Sequence, residues 1–127
     1  MTICTVYIGD LDDPKFCWVG GDWNGNIPQP LASDFPTVGG HYNECFHRWV
    51  DKSGIECRKT DFGGWVSKVT PRQLAGYIEY CYGGDLKYSD PDKALVWKHL
   101  RDRLDDLREF VAGLEEDKEY ALVATEF

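Results

Sequence analysis

Apolar side chains recur at alternating spacings of three and four along 91–114, where Trp97, Leu100, Leu104, Leu107, Val111 and Leu114 form the stripe of an amphipathic helix. Ser89 and Asp90 ahead of Pro91 mark its start: a short oxygen-bearing side chain, then a residue whose missing N–H is not needed there. Toward both ends of the chain this rhythm gives way to alternation. Residues 3–8 set Cys4, Val6 and Ile8 against Ile3, Thr5 and Tyr7, and 120–127 set Leu122 and Ala124 against Ala121, Val123 and Thr125, which predicts two strands. The aspartate- and proline-bearing turn 10–14, followed by the β-prone run 15–19, predicts a hairpin with the first strand.

The middle of the chain is punctuated more sharply. Tyr42, Cys45, Phe46 and Trp49 share a helical face over 41–52, with Ser53-Gly54 as the stop. Strand-like runs at 55–59 and 65–69 flank Gly63-Gly64 and predict a second hairpin. Thr70 then caps a helix that opens on Pro71, buries Leu74, Tyr77, Ile78 and Cys81, and stops at Gly83-Gly84. The final strand needs a partner, and a position inserted beside an existing hairpin supplies one. The expected fold is a single α+β domain over 1–127, a mostly antiparallel sheet of about five strands with three helices packed on one face.

Between Gly20 and Gly40 regular structure is blocked by Gly20, Gly21, Asn24, Gly25 and Asn26 and then by Pro28, Pro30 and Pro36. Loops of this length are uncommon in small domains and tend to carry function. Trp23, Leu31, Phe35 and Val38 give this one apolar surface to bury, so a packed loop is expected. Trp23 stands out as a candidate anchor for a partner, and the loop as a lid over a small molecule.

Composition changes the picture in three ways. With 127 residues, 43% of them hydrophobic and 14% aromatic, the chain has material for one core. It has no apolar run long enough to span a bilayer and no signal-like start, so a cytoplasmic protein without membrane contact is expected. The odd count of five cysteines, set in apolar surroundings, predicts free thiols. The net charge of −8 argues against direct nucleic-acid binding.

That charge is unevenly spread. Residues 1–47 carry six acids against one base, 48–101 seven against ten, and 102–127 nine against three, so folding could set two acidic blocks side by side. Along the long helix Asp102, Asp105, Asp106 and Glu109 continue into Glu115, Glu116 and Asp117, where negative charge opposes the helix dipole. Lys98 with Asp102 and Arg101 with Asp105 stand four apart and could balance part of it.

Motifs with catalytic or ligand chemistry are thin. Asp22, Asn24 and Asn26 resemble half of a calcium loop, but Ile27 and Ser33 stand where its glycine and glutamate belong. His41, Cys45, His47 and Cys57 have ligand types suited to zinc at poor spacing. No cofactor is expected, and nucleotide-binding and hydrolase fingerprints are missing from the sequence.

The expected function is therefore a small acidic inhibitor, of the immunity-protein or anti-CRISPR kind, that neutralises a basic protein or a nucleic-acid-handling complex. Trp23, Asp102, Asp105, Asp106, Glu109, Glu115, Glu116 and Asp117 would contact the partner. The alternatives are a small-molecule-binding domain using the 20–40 loop, or a small enzyme or zinc site around His41, Cys45 and His47. Homodimerisation through the 91–114 helix is a minority expectation, because its apolar seam is short for a coiled coil.

Overall fold

In the computed structural model, residues 4–13, 28–35, 44–59, 64–83 and 94–126 are described, with side chains described over 5–13, 28–35, 45–59, 64–82 and 101–125. The elements run β1 (Cys4–Gly9), α1 (Glu44–Ser53), β2 (Cys57–Lys59), β3 (Gly64–Val69), α2 (Pro71–Ile78), α3 (Ala94–Ala112) and β4 (Tyr120–Glu126). All strand pairs are antiparallel, and the order across the sheet is β1-β4-β3-β2. The last strand is thus inserted between the first strand and the β2–β3 hairpin, pairing Gly9 with Ala121 on one side and Val69 with Tyr120 on the other.

Among the described residues the sheet has four strands rather than about five. The run 15–19 expected to pair with β1 lies outside them. The free edge of β1 is met by residues 29–35 instead: the Asp10 N–H donates to the Gln29 carbonyl at 2.9 Å, Leu31 N–H to Ile8 at 2.8 Å, and Phe35 N–H to Val6 at 2.8 Å. An edge covered in this way offers no template to another chain. At the opposite edge, β2 is only three residues long and carries Arg58 and Lys59, a second protection of the same kind.

Strand alternation sorts the side chains into two layers. Val6, Ile8, Val69, Tyr120, Leu122 and Ala124 face the three helices and join Phe46, Trp49, Leu74, Tyr77, Ile78, Leu104, Leu107 and Val111 in one core. Phe35 belongs to it too, so the described part of the 20–40 loop is anchored by the buried Pro28 and Phe35, while Gln29, Pro30, Leu31 and Ser33 stay exposed. Tyr7, Val66, Ala121 and Val123 form a thinner layer on the other face with Leu11. There the Tyr7 hydroxyl donates to the Pro28 carbonyl at 2.8 Å, and burial raises its pKa, helped by the charges of Asp34 and Asp13. Gly9 permits this approach, since a Cβ there would stand 3.0 Å from the Pro28 Cβ.

The helix ends follow the local sequence. Gly54 adopts φ 66° and returns its N–H to the Val50 carbonyl at 3.0 Å, which ends α1 with a left-handed residue. Thr70 and Gln73 form a reciprocal capping box: the Gln73 N–H donates to Thr70 Oγ1 at 3.2 Å and the Thr70 N–H to Gln73 Oε1 at 2.9 Å. The helical run expected as far as Gly83 is divided, since Glu79–Gly83 winds as a wider π-helical turn after α2. Cys81 and Tyr82 in that turn are buried. The start of α3 expected at Pro91 lies outside the described residues.

Among the described residues Ser67 is a flaw in this core. It is fully buried on the helix-facing side, and its hydroxyl has no hydrogen-bond partner of normal geometry among the described residues. The Cys57 thiol, opposite it in the β2–β3 register, interacts with it weakly while burial holds the thiol pKa up. Desolvating a hydroxyl without a good partner is unfavourable. Ser67→Ala is expected to raise stability by about 1 kcal/mol, read as a higher thermal midpoint. A lower midpoint would mean that the sulfur contact outweighs the desolvation.

Candidate functional site

The stripe of α3 points Leu104, Leu107 and Val111 into the core, and the 100° step between helical residues then fixes where the acids go. Asp102, Asp105, Asp106 and Glu109 all fall on the face turned away from the core, and all four are exposed. The side chains that would form a dimer seam at Leu104, Leu107 and Val111 are buried within this chain.

Beyond α3 the chain makes a tight turn, closed by the Lys118 N–H on the Glu115 carbonyl at 3.1 Å. The turn is pinned to the sheet, because the Glu115 N–H donates to the Tyr120 hydroxyl at 3.2 Å and Tyr120 is buried. Glu115, Glu116 and Asp117 are thereby presented to solvent just past the end of α3.

Antiparallel pairing of β1 with β4 brings the turn after β1 beside this one. Asp12 accepts an ion pair from Lys118 at 3.0 Å, so the two acidic blocks meet at this end of the sheet. The hydrogen bond to Asp12 and then its charge raise the Lys118 pKa, with Tyr120 and Asp10 adding to it. Within the turn Asp10 Oδ1 accepts the Asp12 N–H at 2.9 Å, and Asp13 is buried and accepts the Gln29 N–H at 3.0 Å. Asp13 is therefore a structural residue and Asp12 a surface one.

Arg108 is the cation that links this surface to α2. It reaches Asp105 at 3.2 Å within α3 and Glu79 at 3.4 Å beyond α2, tying the two helices together. Asp105 thus pairs with Arg108 three residues on, in place of the expected Arg101 four residues before it. No ion pair joins Asp102, Asp106, Glu109, Glu115, Glu116 or Asp117 to another described residue. Neither Glu79 nor Asp12 and Lys118 could be assigned to this surface from spacing, since their proximity to it comes from tertiary pairing.

The other candidate centres fall only in part within the described residues. Trp23, His41 and the loop residues 20–27 and 36–40 lie outside the described residues. His47 packs edge-on against Trp65 with ring centroids 4.6 Å apart, and against Phe46 at 5.3 Å. Cys45 meets the buried Cys81 thiol between α1 and the π-helical turn, and burial followed by that contact pushes Cys81 well above the usual thiol range. Among the described residues no group of three or more histidine, cysteine or carboxylate side chains is arranged to hold a metal, and no helix is long and apolar enough to cross a membrane. Comparison with protein-family models, with curated proteins and with solved structures finds no match for this chain.

Proposed function

We propose that the chain is an acidic protein-binding module that docks on a basic surface of a partner protein and blocks it. The observation that carries this reading is the concentration of exposed carboxylates on one side of the molecule. Asp102, Asp105, Asp106 and Glu109 share the outer face of α3, with Glu115, Glu116 and Asp117 in the turn that follows. A surface with this excess of negative charge speeds encounter with an oppositely charged partner and selects against acidic ones.

The test compares the wild-type chain with a quadruple variant, Asp102→Lys, Asp106→Lys, Glu109→Lys and Glu116→Lys, as bait in a lysate of the encoding organism. The wild-type bait is expected to retain a stoichiometric basic protein that leaves as salt shortens the screening length, and the variant to retain at least about tenfold less of it. A partner held equally well by both baits would rule the acidic surface out as the binding site. All four positions are exposed, so the variant keeps the core intact.

A further inference from the structure

Alongside the acidic face runs an open groove of about 790 Å³ between α2 and the end of α3. Its floor is apolar, made by Pro71, Ala75, Ile78, Val111, Ala112 and Leu114. Ala75 and Ala112 are exposed from facing helices, and these two short side chains leave the space open. The charges around the floor are asymmetric. Arg108 is already engaged by Glu79 and Asp105. Glu116 and Asp117 line the α3 side with no ion pair to a described residue, whereas Arg72 stands on the α2 side.

We propose that this groove receives a segment of the basic partner in which one or two large apolar side chains are flanked by lysine or arginine. The proposal rests on the acidic-surface reading above and adds the element that surface lacks. Exposed ion pairs are individually weak and are screened within about 8 Å at physiological salt, so a carboxylate face alone gives fast but short-lived contact. A desolvated apolar anchor beside it supplies residence time. The rim charges set the orientation: the partner's cations lie against Glu116, Asp117 and the outer carboxylates of α3, and its neutral or acidic side faces Arg72.

Three synthetic peptides of one length separate the contributions: an amphipathic lysine–leucine peptide, an analogue with every leucine replaced by serine, and an analogue with every lysine replaced by glutamine. Each is titrated into isotopically labelled full-length chain while backbone amide shifts are followed. The lysine–leucine peptide is expected to bind about tenfold or more tighter than the lysine–serine one, the factor that burying a single leucine-sized side chain supplies, and to move the amides of Ala75, Val111 and Ala112.

The double variant Ala75→Gln/Ala112→Gln fills the groove at exposed helical positions with a good helix former and no change of charge. It is expected to lose that tenfold advantage while binding the lysine–serine peptide as before, with an unchanged thermal midpoint. Equal binding of both lysine peptides, with shifts confined to the outer face of α3, would overturn the groove proposal and leave the acidic surface standing. Failure of both lysine peptides to bind would overturn the acidic surface, and the groove proposal with it.

Discussion

Tyr77→Ala is expected to lower stability by about 3–5 kcal/mol, the range for removing a large aromatic side chain from a core. Folded domains have only about 5–15 kcal/mol in hand. Tyr77 is 1% exposed and stands at the junction of four segments. Its ring centroid lies 5.2 Å from Phe35 beside β1, 5.3 Å from Trp49 and 6.5 Å from Phe46 on α1, and 6.3 Å from Tyr82 in the π-helical turn. The interplanar angles of 68° to 84° are the edge-to-face arrangement that aromatic quadrupoles favour. Removing the ring opens a cavity that three helical elements and a loop would all have to collapse into. Tyr77→Phe keeps the ring and loses its hydroxyl contacts with Tyr82 and Cys81, at about 0.5–1.5 kcal/mol. Urea unfolding distinguishes the two, with a large fall of the midpoint for alanine, a small one for phenylalanine and an unchanged slope for both.

The second large effect is alkaline unfolding. Burial raises the pKa values of Cys81, Tyr77, Tyr82 and Tyr7 above the ordinary 9.0 for the thiol and 10.0 for the phenols. The neighbouring Cys45 pushes Cys81 further, and Cys81 in turn pushes Tyr82. Above pH 9 the unfolded chain releases these protons while the folded chain still holds them, so the unfolded state binds fewer protons and stability falls as pH rises. The stabilisation is complete below the unfolded-state values and drains away through pH 9 to 11. Each group that stays protonated in the fold contributes a decline of up to about 1.4 kcal/mol per pH unit beyond its unfolded value. Thermal midpoints are expected to be flat from pH 7 to 8.5 and to drop steeply by pH 11, with the onset near 9 set by the buried thiols of Cys81 and Cys57. Cys57→Ala combined with Cys81→Ala, whatever the cost in packing, should move that onset toward 10, and an onset that stays near 9 would assign it to another group.

Local structure is legible in the sequence where the physics is local. Thr70, Pro71 and Gly54 dictate helix ends through their own hydrogen bonds and dihedral angles, and the three-four spacing of Leu104, Leu107 and Val111 is sufficient to place the α3 acids outward. The Thr70–Gln73 spacing also carries the full capping box. What is paired with what was less legible. The two edges of β1 belong to β4 and to residues 29–35, and nothing in the alternation of 3–8 distinguishes those partners from an adjacent hairpin strand. The same limit applies to the candidate surface. Its carboxylates follow from helical periodicity, whereas the Arg108–Glu79 link, the Asp12–Lys118 pair and the groove exist only once α2, α3 and the two turns have been brought together.

The position of β4 has a consequence for how the fold is reached. Thr5 and Thr125, hydrogen-bonded across the β1–β4 pair, are 120 residues apart in sequence, and β4 also supplies the partner edge of β3. Neither half of the sheet can be joined until that strand arrives, so loop-closure entropy is spent before most sheet contacts form. Such a topology folds late and comparatively slowly during synthesis. Until Tyr120–Glu126 has left the ribosome, β1 and β3 each present an open, apolar-flanked edge, the interval in which a nascent chain of this kind is most exposed to aggregation and most dependent on chaperones.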